Sequence, residues 1–211
     1  MRTTLLGLCL LAALPACRGA YYSTMEQFGV HKRDILVDEV EEGRKDQQEA
    51  QEQFKTTYEA FKELTGYQGG ELEDVYDELS DELEDCEDAA GDVTKKIDDI
   101  EQVAGDLFEE WDGEIGEMHD ATLKQESKHM LSDTRSRYED LIGAMRKAES
   151  KMEPVLDSFR DHVLFLKHNL NAKAIASLQG TVPKIENDVA ALIADMEKSI
   201  AEADEFLKAM E

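Results

Sequence analysis

Glu126-Ser127-Lys128-His129 sets a carboxylate and an imidazole three residues apart, the E-x-x-H spacing with which some helical bundles hold a pair of metal ions. Such a site needs two of these elements plus two further glutamates facing one cavity. This chain has one, flanked by Gln125 and Lys128, so a surface helix is expected there. Asp112-Gly113-Glu114-Ile115-Gly116-Glu117 spaces its acids as a calcium loop begins, yet Glu117 stands at the sixth position, where an EF-hand turn requires glycine. His31, His119, His129, His162 and His168 lack metal-ligand spacing. Nucleophile elbows and phosphate-cradling glycine loops are missing from the sequence. No catalytic residue, metal ligand or cofactor is therefore expected, and the chain reads as a non-enzyme.

The residue with the clearest chemistry is a thiol. Met1 and Arg2 give a short positive start, and the apolar run Thr3 to Leu14 follows. That run is shorter than the roughly 20 residues a membrane-spanning helix needs, but it suits the apolar part of a signal peptide. It ends in Leu14-Pro15-Ala16-Cys17, which resembles a bacterial lipobox: an aliphatic residue, two small ones, then a cysteine. The thiol is required because diacylglycerol attaches through a thioether before cleavage. Pro15 departs from the usual residue at its position. The competing reading is an ordinary secretory leader cut after Ala16 or Ala20, but Leu14 or Arg18 would then occupy a position that wants a small residue. The expectation is a signal peptide over 1–16 and a lipidated Cys17. Cys9 leaves with the leader, so Cys86 is the remaining free thiol. It reads as a small buried core residue, with an intermolecular disulfide as the alternative.

Charge is concentrated. The formal net charge is −26, and residues 71–118 alone carry 21 acidic against 2 basic side chains. Nucleic acid is excluded as a partner by repulsion, and anionic lipid is repelled as well. Runs such as Glu71-Leu72-Glu73-Asp74 and Asp81-Glu82-Leu83-Glu84-Asp85 place like charges three and four residues apart, which opposes a helix by a few tenths of a kcal/mol per pair. Two readings stand: a solvated face kept soluble by repulsion, or a surface for divalent cations or a basic protein.

These residues need elements to carry them. Breaks at Gly66–Gly70, Gly116–Asp120, Asn169–Asn171 and Gly180–Pro183 divide the chain into segments near 24–66, 71–118, 121–170 and 182–210, with a short helical turn at 172–178. Each long segment repeats apolar residues at alternating steps of four and three. The first runs Leu36, Val40, Gly43, Gln47, Ala50, Phe54, Thr57, Phe61, Leu64; the second runs from Leu72 to Trp111; the third from Thr134 to Leu166. The fourth runs Ile185, Val189, Leu192, Met196, Ile200, Ala203, Leu207. A sustained seven-residue repeat implies left-handed coiled-coil packing. Short loops make neighbours antiparallel. The expected fold is all-α: an elongated antiparallel coiled-coil bundle of three long helices plus a shorter fourth, one domain over 24–211 behind a lipid-anchored segment 17–23. Asp120 or Thr122, then Asn171, and Thr181 with Pro183 just inside suit helix starts. Val163 to Leu178 is the most apolar stretch outside the leader, expected to seal the end of the rod far from Cys17, with a docking patch as the alternative. His31-Lys32-Arg33 is a small basic cluster at the near end.

Tyr21-Tyr22-Ser23-Thr24-Met25-Glu26-Gln27-Phe28-Gly29-Val30-His31-Lys32-Arg33-Asp34-Ile35-Leu36-Val37 resembles the opening of a bacterial family catalogued as domain of unknown function 2959, and so does Val163 to Leu178. The resemblance covers essentially the whole chain after the leader. It implies a helical envelope protein of Gram-negative bacteria and assigns no activity and no functional residue. The resulting expectation is a cell-envelope lipoprotein acting as a structural or adaptor rod, attached to a membrane through its amino-terminal lipid. An unknown protein partner and homo-oligomerisation are both open. Arg18, rather than aspartate, follows the cysteine, which favours the periplasmic side of the outer membrane over the inner membrane.

Overall fold

The computed structural model describes Tyr22, Met25 and residues 31–67 and 72–210. The expected leader 1–16 and the expected lipidation residue Cys17 lie outside the described residues. Among residues 31–67 and 72–210 five helices follow one another: α1 (Lys32–Thr65), α2 (Leu72–Glu117), α3 (Ala121–His168), the short α4 (Ala172–Leu178) and α5 (Val182–Met210). No strand occurs among the described residues. Lys96 on α2 meets Glu39 on α1, and Gln53 meets Glu82, so one helix advances as the other retreats. The same crossing order joins α3 to α2 through Arg146–Asp98 and Arg160–Glu87. It also joins α5 to α3 through Lys147–Asp195 and His162–Thr181. Each long helix has two neighbours: α1 and α3 each lie between α2 and α5. The product is an antiparallel four-helix rod, its 46-residue α2 about 69 Å long.

The repeat explains the core. Every position of the first apolar series, Leu36 through Leu64, is buried, including its polar members Gln47 and Thr57. Phe61 on α1 and Phe159 on α3 meet across the bundle with ring centroids 6.3 Å apart, and the His162 ring stands edge-on to Phe61 at 5.0 Å. Gly43 lets three helices close in: a methyl group there would lie 2.8 Å from Ile100 and 3.4 Å from Met145. In α5 the structure corrects the expected stripe. Beyond Met196 the buried residues are Ser199, Ala203, Phe206 and Met210, while Ile200 and Leu207 are only half-buried. Strict four-three stepping prevails over side-chain polarity, because the seam must keep facing its neighbours along the rod.

Caps match their helices at two of three expected places. The Asp120 carboxylate accepts the Thr122 and Leu123 amides at 2.8 and 3.0 Å, and Asn171 Oδ1 accepts those of Lys173 and Ala174. Thr181 also stands where its helix starts, its carbonyl accepting the Lys184 and Ile185 amides at 3.0 and 3.2 Å, but its hydroxyl donates back to the Leu178 carbonyl at 2.7 Å. Pro154 stands inside α3 on an exposed position. It removes one backbone hydrogen bond, and burial of Met152, Val155 and Leu156 on both sides carries the helix through it.

Gln47 is fully buried with neither amide atom hydrogen-bonded, and Ser199 Oγ is in the same state. The Arg44–Asp204 pair and the Gln51–Ile193 contact bracket these two residues on facing stretches of α1 and α5. A buried polar group without a partner costs about 1–3 kcal/mol. Gln47→Met, close in volume, is expected to raise unfolding stability by about 1–2 kcal/mol in urea titrations. A loss of stability instead would mean that the amide is satisfied, as by an internal water.

Candidate functional site

The expected lipidation residue, Cys17, lies outside the described residues; what can be placed is the point where the chain after it joins the rod. Tyr22 is buried, and its hydroxyl lies 3.0 Å from Asp106 Oδ2 on α2. The Lys32 ammonium sits 5.0 Å above the Tyr22 ring and pairs with Glu110 at 2.8 Å. Met25 packs against the core. Of the small basic cluster, Lys32 is therefore engaged inside the protein, while the His31 amide donates to Asp34 Oδ2 to open α1.

At this end the bundle loses two of its helices. Lys32, the first residue of α1, stands opposite Glu110, and Met210 ends α5. Beyond them, among the described residues, α2 and α3 run on to the turn Met118–Asp120. A cleft of about 660 Å³ opens where the two helices stop, with Leu107, Trp111, Met130 and Met210 as apolar walls and Lys32, Arg33 and Glu114 at its polar edge. Trp111, expected as the last core residue of α2, is half-buried here and donates from Nε1 to Ser127 Oγ at 2.9 Å. The two-helix extension presents Met118, Leu123 and Met130 to solvent.

The acidic helix is partly neutralised by its neighbours. Arg146 on α3 reaches Asp98, Glu101 and Glu149 at 2.5, 2.6 and 2.8 Å. Arg160 pairs with Glu87, Glu153 and Asp157. Lys96 binds Glu39 and Glu42, and although burial opposes its charge, those two carboxylates raise its pKa. Asp195, on α5, is held below the usual carboxylate range by hydrogen bonds from Lys147 and then Lys151. Asp46 moves the other way, pushed up by burial. The sequence reading missed these pairs, though a signal existed. Glu87 and Glu101 are two heptads apart, as are Arg146 and Arg160, so both couples fall on facing edges of antiparallel helices. The amino-terminal part of α2 keeps Glu73, Asp74, Asp77 and Glu78 exposed.

Glu126 and His129 are exposed on α3, His129 facing Gln125 at 3.1 Å. Asp112 to Glu117 belong to helix α2 rather than to a loop. Among the described residues no three His, Cys, Asp or Glu side chains converge as a metal-binding group. Cys86 is buried, and burial pushes its thiol up to about 12. At the far end Leu166, Ala174, Ile175 and Leu178 are buried, and Gln179 donates to the Thr65 carbonyl at 3.1 Å, which closes the rod. Leu164 and Phe165 stay exposed on its flank.

No curated protein and no solved structure matches this chain. A family model described as "protein of unknown function (DUF2959)" matches residues 21–210, the entire rod together with the segment that leads into it. The chain belongs to the DUF2959 family.

Proposed function

We propose that this protein is a cell-envelope lipoprotein, held by a lipid on Cys17, whose helical bundle acts as a structural or adaptor rod rather than as an enzyme. The observation that carries the reading is Leu14-Pro15-Ala16-Cys17 closing an apolar run too short to span a bilayer, five residues before the chain joins the rod at Tyr22. No helix among the described residues is long and apolar enough to cross a membrane, so a lipid is the attachment this reading requires. A rod about 69 Å long projects its far end well clear of a bilayer, as a spacer or adaptor does. Arg18 favours the outer membrane, and a protein partner would meet the rod away from the anchor.

The deciding experiment is an intact mass of the mature amino terminus. Cys17 as the first residue, carrying diacylglycerol and an amide-linked acyl chain, supports the reading. An unlipidated terminus at any other residue overturns it.

The exposed acids at the start of α2 favour a second reading, a binding surface for divalent cations or a basic protein. Changing Glu73, Asp74, Asp77 and Glu78 to lysine separates the two: partners captured by in-cell crosslinking persist for a scaffold and are lost for a charge-driven binder.

A further inference from the structure

We propose that the turn joining α2 to α3 is a bilayer-contact surface, held against the lipid interface by the shortness of the chain that connects it to the anchor. The inference rests on the lipid at Cys17. Tyr22 fastens the chain to the rod through Asp106 at 3.0 Å and through Lys32 above its ring. From Cys17 to Tyr22 there are five residue steps, which in any conformation span at most about 18 Å. Past Asp106, α2 runs eleven residues further to Glu117, about 16 Å in the direction of the near end. Tether and overhang match in length. An upright rod therefore cannot hold this turn clear of the membrane, and the opposite end, some 50 Å from Asp106, is out of reach.

The chemistry of the turn fits such an interface. Met118, Leu123 and Met130 are 36%, 59% and 57% exposed. Leu123 and Met130 stand seven residues apart on one face of α3. Met130 shares its cleft with Ala209 and Met210, so α3 before that level runs on without α5 to cover it. The surrounding side chains are acidic on balance, which rules out attraction to anionic headgroups as the cause. The tether supplies the proximity, and the apolar side chains gain by entering the boundary between headgroups and acyl chains.

Trp111 is the only tryptophan in the chain, which makes the test direct. The mature lipidated protein carrying Trp111→Phe and Leu123→Trp is reconstituted into vesicles of phosphatidylethanolamine with a minority of phosphatidylglycerol. The acyl chains are brominated near the headgroup. The tryptophan is expected to lose more than about half of its emission relative to unbrominated vesicles, as a side chain seated at that depth would. Helical circular dichroism checks that the variant is folded. Full emission from protein that carries its lipid and floats with the vesicles overturns the contact and leaves the anchor standing. Protein without lipid on Cys17 that fails to float overturns the lipoprotein reading, and the contact with it. Adding Tyr22→Ala, which lengthens the tether without touching the anchor, is expected to reduce the quenching severalfold; undiminished quenching overturns the role of the tether.

Discussion

Cys17→Ser is expected to move the protein from the membrane fraction to the soluble fraction without unfolding it. A chain of formal net charge −26 is repelled by anionic lipid, so nothing electrostatic replaces the anchor. Each buried CH₂ of an acyl chain contributes about 0.8 kcal/mol. Met118, Leu123 and Met130, all only partly exposed, offer far less apolar area than the acyl chains they would have to replace. Folding is expected to be untouched because residue 17 precedes Tyr22, the first described residue packed on the rod. Since serine also blocks lipoprotein processing, the variant is best made behind an ordinary secretory leader replacing residues 1–16. Fractionation and circular dichroism then read the outcome. Membrane retention of that leaderless, folded bundle would mean that the turn or a protein partner is the true attachment.

Phe61→Ala is expected to cost about 3–5 kcal/mol of unfolding stability, the range for removing a large buried aromatic side chain. Phe61 is fully buried, and it is one place where α1 and α3 touch across the bundle, through Phe159 and His162. Truncation leaves both partners facing a void that neighbouring helices cannot close without losing their seven-residue register. For a domain of this size each kcal/mol lowers the melting temperature by about 2–4 °C, so a fall of roughly 10 °C is expected in calorimetry. Phe165→Ala, in which the ring is 41% exposed, is the control and should stay within about 0.5 kcal/mol of the parent. Equal losses in the two would mean that the core is not centred on Phe61.

Local periodicity made most of the rod readable. The series from Leu36 to Leu64 is buried throughout because a heptad seam has one geometry over its whole length. The error in α5 came from preferring Ile200 and Leu207 for their side chains when the period pointed to Ser199 and Phe206. Period outranks polarity once two neighbours have fixed the face. Trp111 packs against the core as its stripe implies but is only half-buried: whether a stripe is fully covered depends on where the neighbouring helices stop, and the repeat within α2 carries no information about Lys32 or Met210. The three-carboxylate clusters on Arg146 and Arg160 needed the antiparallel pairing before their two-heptad spacing became meaningful. Tyr22 was invisible because its partners, Asp106 and Lys32, are distant in sequence and follow from no local rule.

Cys86 gives the rod a built-in gauge of its own opening. Its sulfur is fully enclosed by the seam, and a thiol pushed up to about 12 is almost wholly protonated at neutral pH. In the Cys17→Ser protein lacking the leader it is the one sulfhydryl left in the chain. A thiol reagent can then react only with molecules that have momentarily separated α2 from its packed neighbours around Cys86. The labelling rate under native conditions reports the frequency of that separation at one known level of the rod.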